Sequence, residues 1–208
     1  LDHTDILGST YLDIAKDKGA IIKPNVPVIY AVKNEEALKY IRDLAESQNA
    51  KPIELDREII IISEDDEFTY RYKDYELETI ILDMIGEHQK ENASLAITAL
   101  IELNEENIIE LDFNKMIDAI ESVCWTGRIE QVKENPLIII DGAHNNESVE
   151  ALVSTIKNYY DREKMDILFS AIKGKPVTEM LSKLQSLSGT FYFTEFDFHK
   201  ALSKQELL

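Results

Sequence analysis

The sequence predicts an α/β protein with parallel strands covered by helices, and two patterns carry that prediction. From residue 137 onward, short apolar runs alternate with helical periodicity. Residues 137–140 read as a strand, Val149, Leu152, Val153 and Ile156 as a helix, and residues 167–169 as a strand. Met180, Leu181 and Leu184 then mark a helix and residues 191–193 a strand. Strand–helix–strand–helix–strand order implies parallel pairing, because parallel neighbours need a crossover. Ahead of this unit, strand-like runs are interleaved with well-marked helix starts.

Taken in order, Leu12, Ile14, Ala15 and Ala20-Ile21-Ile22 supply the apolar residues of a loop and helix. Pro24 and Pro27 bracket a turn, and residues 28–32 form a short apolar strand. Asn34 caps a helix that opens on Glu35-Glu36 and carries Leu38, Ile41, Leu44 and Ala45 at helical spacing. Residues 59–62 are a β-branched strand, and Glu64-Asp65-Asp66-Glu67 reads as a solvated hairpin turn. A calcium loop would need spaced ligands and a Gly, which this run lacks. Residues 77–85 read as a strand and 87–103 as a helix with Leu95, Ala96, Ala99, Leu100 and Leu103 on its apolar side. After an acidic connector, Phe113-Asn114 reads as a staple and cap for a helix through Ile117, Ile120 and Val123. Pro176 suits a first helical position. A boundary near residues 124–127 divides the chain into 1–124 and 125–208.

Composition limits the function classes. The chain has 208 residues, 44% of them hydrophobic, enough to bury a core. With 22 Lys and Arg against 40 Asp and Glu, the net charge is −18. That argues against nucleic-acid and anionic-membrane partners, which select basic faces. No apolar run nears the roughly 20 residues of a membrane span. Cys124 is the single cysteine, so no internal disulfide framework exists, which fits a reducing, cytoplasmic setting. The seven glycines have no pair spaced for a P-loop or a dinucleotide fingerprint. CxxC, HExxH and GxSxG are absent as well.

Four polar constellations remain, each with two readings. Asp141-Gly142-Ala143-His144-Asn145 follows a strand directly, where α/β proteins bind ligands. It can contact ribose and phosphate, or be a polar turn with Asn146 capping the next helix. Gly86-Glu87-His88-Gln89-Lys90-Glu91-Asn92-Ala93 opens a helix, with His88 and Asn92 four apart on one face. It serves an anion or is an ordinary surface start. Asp2-His3-Thr4-Asp5 can bind metal or be a solvated loop, and Lys18, beside an apolar run, can be partly buried or snorkel. Trp125-Thr126-Gly127-Arg128 offers an Arg that can reach a phosphate, or a hinge with an Arg–Glu surface pair.

In this order these motifs, together with residues 14–23 around Lys18, resemble the folylpolyglutamate synthase / dihydrofolate synthase family of the Mur ligase superfamily. The resemblance implies the rear part of a Mur-ligase-type ATPase domain over 1–124, then a Rossmann-like, parallel-sheet glutamate-ligase domain over 125–208. It implies an ATP-dependent amide ligase that adds L-glutamate to a folate or dihydropteroate carboxylate through an acyl phosphate, with ATP and Mg2+ required. The expected enzyme is cytoplasmic and monomeric, with small-molecule substrates only. By resemblance His3 ligates magnesium, and Lys18 is carbamylated and helps hold the metal site. Asn92 contacts adenine with His88 nearby, Asp141 contacts ribose beside Asn145, Arg128 contacts phosphate, and His144 meets phosphate or the incoming glutamate. Asn92 and Asp141 lie on opposite sides of the boundary, so the resemblance leads us to expect an ATP site shared by both domains and completed by closure. The P-loop and pterin loops of the family are expected ahead of Leu1, so these residues alone are expected to be inactive. Two alternatives stand beside this one: a ligase acting on a peptidoglycan precursor, and a non-catalytic nucleotide-binding module.

Overall fold

In the computed structural model, which describes residues 10–160 and 164–207, two compact units follow one another, 10–125 and 126–207. The first opens with α1 (Tyr11–Gly19), started by a capping box in which Thr10 and Asp13 exchange hydrogen bonds. Gly19 is the last residue of α1, where a Cβ would lie 2.8 Å from Leu44 Cδ2 on the next helix. β1 (Val28–Tyr30) pairs in parallel with β2 (Pro52–Glu54), and α2 (Glu35–Ser47) is the crossover between them. Asn34 caps α2 as its position suggests, accepting from Ala37 N at 3.0 Å. Ala15, Tyr30, Ala37 and Ile41 form the small core of this layer, while Ile21 is exposed.

A buried polar contact ties α2 to β2. Arg42 donates to both oxygens of Glu54, Nε to Oε2 at 2.7 Å and Nη2 to Oε1 at 2.5 Å, and Tyr30 OH adds a third bond at 3.1 Å. The Arg42 hydrogen bonds hold the Glu54 carboxyl below its ordinary value, against burial, which pushes the other way. Burial first, then the bond to Glu54, pushes the Tyr30 phenol up to about 12. A depressed carboxyl stabilises the fold above its unfolded value, and that contribution is lost as pH falls through the folded one. Glu54→Gln should therefore cost about 1–2 kcal/mol at neutral pH. The gap to the parent should begin to narrow below about pH 4 and close as pH falls through the lowered folded value. Denaturant melts at pH 7 and pH 3 check this, and an equal gap at both values would contradict it.

β3 (Ile59–Glu64), β4 (Glu67–Tyr72) and β5 (Tyr75–Ile81) form an antiparallel meander. The charge run supplies the β3–β4 turn, as expected. α3 (Glu87–Glu105) and α4 (Phe113–Glu121) follow, and Ile53, Ile59, Phe68, Tyr70, Ile97 and Ile101 are central to the core they share with the strands. α4 is capped by Asp112, which accepts from Lys115 N, so the cap lies two residues before Asn114.

The buried face of α3 differs in part from the expected one, since Leu95 and Leu100 pack against the core as expected. Gln89, Lys90, Ser94, Ile97, Thr98, Ile101 and Glu102 are buried, whereas Ala96 is exposed and Leu103 is 38% exposed. The polar members of this face have partners, which offsets their desolvation. Tyr70 OH and Thr98 Oγ1 are 2.8 Å apart, and Tyr72 OH donates to Glu102 Oε1 at 2.7 Å. Lys73 bridges Glu102 and Glu105. Burial would raise the Glu102 carboxyl, yet hydrogen bonds from Lys73 and Tyr72 hold it below its ordinary value.

The second unit begins with β6 (Glu130–Lys133) and β7 (Ile138–Ile140), an antiparallel hairpin. α5 (Asn146–Tyr159), β8 (Met165–Phe169), α6 (Val177–Leu184), β9 (Ser188–Phe193) and α7 (Lys204–Leu207) complete it. β8 and β9 pair in parallel around α6, the alternation read from the sequence. Among the described residues the ladder of β7 is with β6, a strand that its polar sequence Glu-Gln-Val-Lys concealed. Pro176 precedes α6 as its cap residue instead of occupying its first turn. Val149, Phe169, Ala171, Met180, Leu184 and Leu207 form this unit's core.

Candidate functional site

The β6–β7 hairpin brings together two stretches that are separate in the sequence. Its register sets Glu130 opposite Ile140, so residues 127–129 meet residues 141–142. Gly142 N donates to Gly127 O at 2.8 Å, and Ile129 N donates to Asp141 Oδ2 at 2.9 Å. Asp141 Oδ1 accepts from Ala143 N at 2.7 Å, an Asx-type turn. Both oxygens of Asp141 therefore carry a backbone partner. Arg128 sits at the crest of this turn, exposed, and among the described residues its guanidinium makes no ion pair. The Arg–Glu surface pair is thus not formed. Glu130 Oε2 accepts instead from Gly127 N at 2.8 Å.

His144 and Asn145 continue from the same strand end. Asn145 is the α5 cap, its Oδ1 accepting from Ser148 N at 2.8 Å, so the cap falls on Asn145 and not on Asn146. That oxygen is committed to the helix. His144 Nδ1 lies 2.8 Å from Gly142 O. A carbonyl only accepts, so Nδ1 is the donor in this contact. Elsewhere in this unit, a cavity of about 540 Å³ is lined by Lys173, Glu195, Phe196, Asp197, Ser203 and Glu206, among others.

In the first unit the start of α3 is tied down from three sides. Lys90, only 3% exposed, donates to Asp65 O at 2.8 Å and pairs with Glu87 at 2.9 Å. Ser63 Oγ donates to Glu87 Oε2 at 2.7 Å, and Lys33 reaches Glu91 at 2.6 Å. Asn92 is exposed on this turn, its amide 3.2 Å from Gln89 Oε1, and His88 is half-buried one turn before it. Sequence reasoning missed Lys90. Its signal was its place at i−4 from Ser94 on the face that is buried. Lys18 is not buried: its side chain is 70% exposed and pairs with Asp17 at 3.3 Å. Asp2-His3-Thr4-Asp5, and with it the metal role of His3, lies outside the described residues. Among the described residues no group of three or more His, Cys, Asp or Glu side chains could hold a metal, and no helix is long and apolar enough to cross a membrane.

Residues 127–208 match the model of the Mur ligase, glutamate ligase domain. Over 99% of its length the chain is 36% identical to the dihydrofolate synthase/folylpolyglutamate synthase of Bacillus subtilis. Along almost its whole length the chain is thus similar to members of the folylpolyglutamate synthase / dihydrofolate synthase family. It covers 49% of that relative, and so spans about half the length of the curated relatives it matches. Among solved structures, Escherichia coli FolC in complex with DHPP and ADP shares the fold, with a TM-score of 0.86 at 24% identity, covering all of this chain and 48% of that one. The folylpolyglutamate synthase of Thermotoga maritima aligns with a TM-score of 0.77 at 26% identity, covering 96% of this chain and 48% of that one. In this family the polar hairpin end at residues 127–145 belongs to the glutamate ligase domain.

Proposed function

We propose that the protein carrying this chain is an ATP-dependent ligase that joins L-glutamate to a folate or dihydropteroate carboxylate. The observation that carries this reading is the 36% identity to the Bacillus subtilis synthase along almost the whole chain. The hairpin end supports it, because it offers an exposed guanidinium, unpaired among the described residues, beside an ordered strand-end turn. In this reading residues 1–124 are the rear of the ATP-binding domain and 125–208 belong to the glutamate ligase domain.

A carboxylate is a poor electrophile, so the γ-phosphoryl group passes to it and supplies a leaving group. The glutamate amine then attacks the acyl phosphate, and phosphate departs. Arg128 offsets charge on the phosphoryl oxygens. Asn92 and His88 belong to the adenine side, and Asp141, beside Asn145, to the ribose side. Asp141 would reach ribose with lone pairs not used by its two backbone donors. His144, at the same strand end, belongs to the side of the phosphate or the incoming glutamate. The cavity holding Lys173 with Glu195 and Asp197 offers both charges that an amino acid needs. Mg2+ belongs to the same reading, with His3 and a carbamylated Lys18 at its site. The exposed, cationic Lys18 does not by itself fit a cation, so no step is derived through the ion.

The test is glutamate-dependent ADP release by the purified protein with dihydropteroate or a reduced folate as acceptor. Product analysis should show one added glutamate per ADP. ADP release that ignores glutamate and both acceptors would refute the reading.

A further inference from the structure

We propose that Glu130 is a positioning residue that, with Asp141, holds the 127–129 turn in a strained form and so presents Arg128 to an anion. The inference rests on the reading of Arg128 as a phosphate contact. Both neighbours of Arg128 have left-handed backbone: Gly127 at φ 74° and Ile129 at φ 48°. Gly127 has open space where a Cβ would be, so the glycine answers to the backbone angle alone. Ile129 cannot be explained that way. A β-branched residue is a true outlier there, and such a conformation persists only where its surroundings over-determine it.

The surroundings do so here. The Ile129 side chain is 7% exposed, and its N–H is held by Asp141 Oδ2. On the other side of Arg128, Gly127 is held at both ends, its N–H by Glu130 Oε2 and its carbonyl by Gly142 N. Glu130 lies within reach of Arg128 in the sequence and yet binds the main chain, leaving the guanidinium for something else. A turn fastened on both flanks, with its central side chain unpaired among the described residues, is preorganised for binding. The cost of ordering is met during folding instead of at each encounter.

Glu130→Ala and Glu130→Gln test this in the protein carrying the chain, by ATP kinetics in the ligation assay, thermal melts and amide exchange at Gly127. Loss of positioning should lower kcat for Glu130→Ala about tenfold with little change in melting temperature. Glu130→Gln should keep kcat within about twofold, because its amide oxygen still accepts from Gly127. A kcat for Glu130→Ala within twofold of the parent would overturn the proposal. So would a Glu130→Gln variant as slow as Glu130→Ala, since charge and not the acceptor would then matter. If the parent protein shows no ligation, the functional reading fails and the clamp is judged by exchange. Gly127 exchange should accelerate about tenfold in Glu130→Ala, and unchanged exchange would overturn the clamp itself.

Discussion

Asp141→Ala is expected to lower kcat/KM for ATP by roughly ten- to a hundredfold in the protein carrying this chain, with both kcat and KM affected. The carboxylate accepts from Ile129 N and Ala143 N, at 2.9 and 2.7 Å. Charge-assisted bonds of this kind contribute about 1.5–3 kcal/mol each, and 1.4 kcal/mol is tenfold in rate or affinity. A ribose contact alone would raise KM and leave kcat nearly intact, because ground and transition states bind it alike. The structure adds a second consequence. Without Asp141 the hydrogen bond that holds the Ile129 N–H is lost, so the turn beneath Arg128 relaxes and kcat falls too. Asp141→Asn keeps one acceptor oxygen and should lie between the two. Steady-state ATP kinetics beside a thermal melt decides the matter. Early melting with parental kinetics below the melt would make Asp141 purely architectural.

Arg128→Ala should mainly lower the turnover number, also by about ten- to a hundredfold. The side chain is exposed and unpaired among the described residues, so its removal should leave the melting temperature where it was. An effect on rate without one on stability is the mark of a group that acts on a ligand. Charge on the phosphoryl oxygens shifts during transfer, which places the loss in kcat more than in KM. Arg128→Lys should recover only part of the rate, since an ammonium lacks the planar fork that meets two oxygens at once. A turnover equal to the parent's would remove Arg128 from the chemistry and leave the strained turn without a purpose.

The Glu130 and Asp141 clamp also explains why the site was only half legible. Thr126-Gly127-Arg128 and Asp141-Gly142-Ala143 were both visible as polar, glycine-containing stretches. Their mutual contact was not, because it depends on β6, whose Glu-Gln-Val-Lys sequence has no strand periodicity of its own. β6 is a strand through its pairing with Ile138–Ile140. Asn145 shows the same limit on a smaller scale. Its residue type suits a cap or a ligand equally, and only the 2.8 Å bond to Ser148 N assigns the oxygen to the cap.

What the sequence determined by itself is local. Asn34 before Glu35-Glu36 starts a helix because a side-chain oxygen can take an orphan N–H within three residues. The Glu64–Glu67 run turns a hairpin, and the alternation after residue 160 yields a parallel pair around α6. These depend on neighbours a few residues away. The tertiary structure alone decided which face of α3 is buried. Apolar spacing favoured Leu95, Ala96, Ala99, Leu100 and Leu103; Leu95 and Leu100 do pack against the core, yet Ala96 and Leu103 are exposed and Ser94, Thr98 and Glu102 lie inward. Thr98 and Glu102 can do so because β4 places Tyr70 and Tyr72 opposite them and Lys73 follows, while Ser94 donates to the Lys90 carbonyl of its own helix. Burial of a polar side chain is favourable only when that partner exists. The partners of Thr98 and Glu102 lie about thirty residues away along the chain, at a distance that local pattern does not reach.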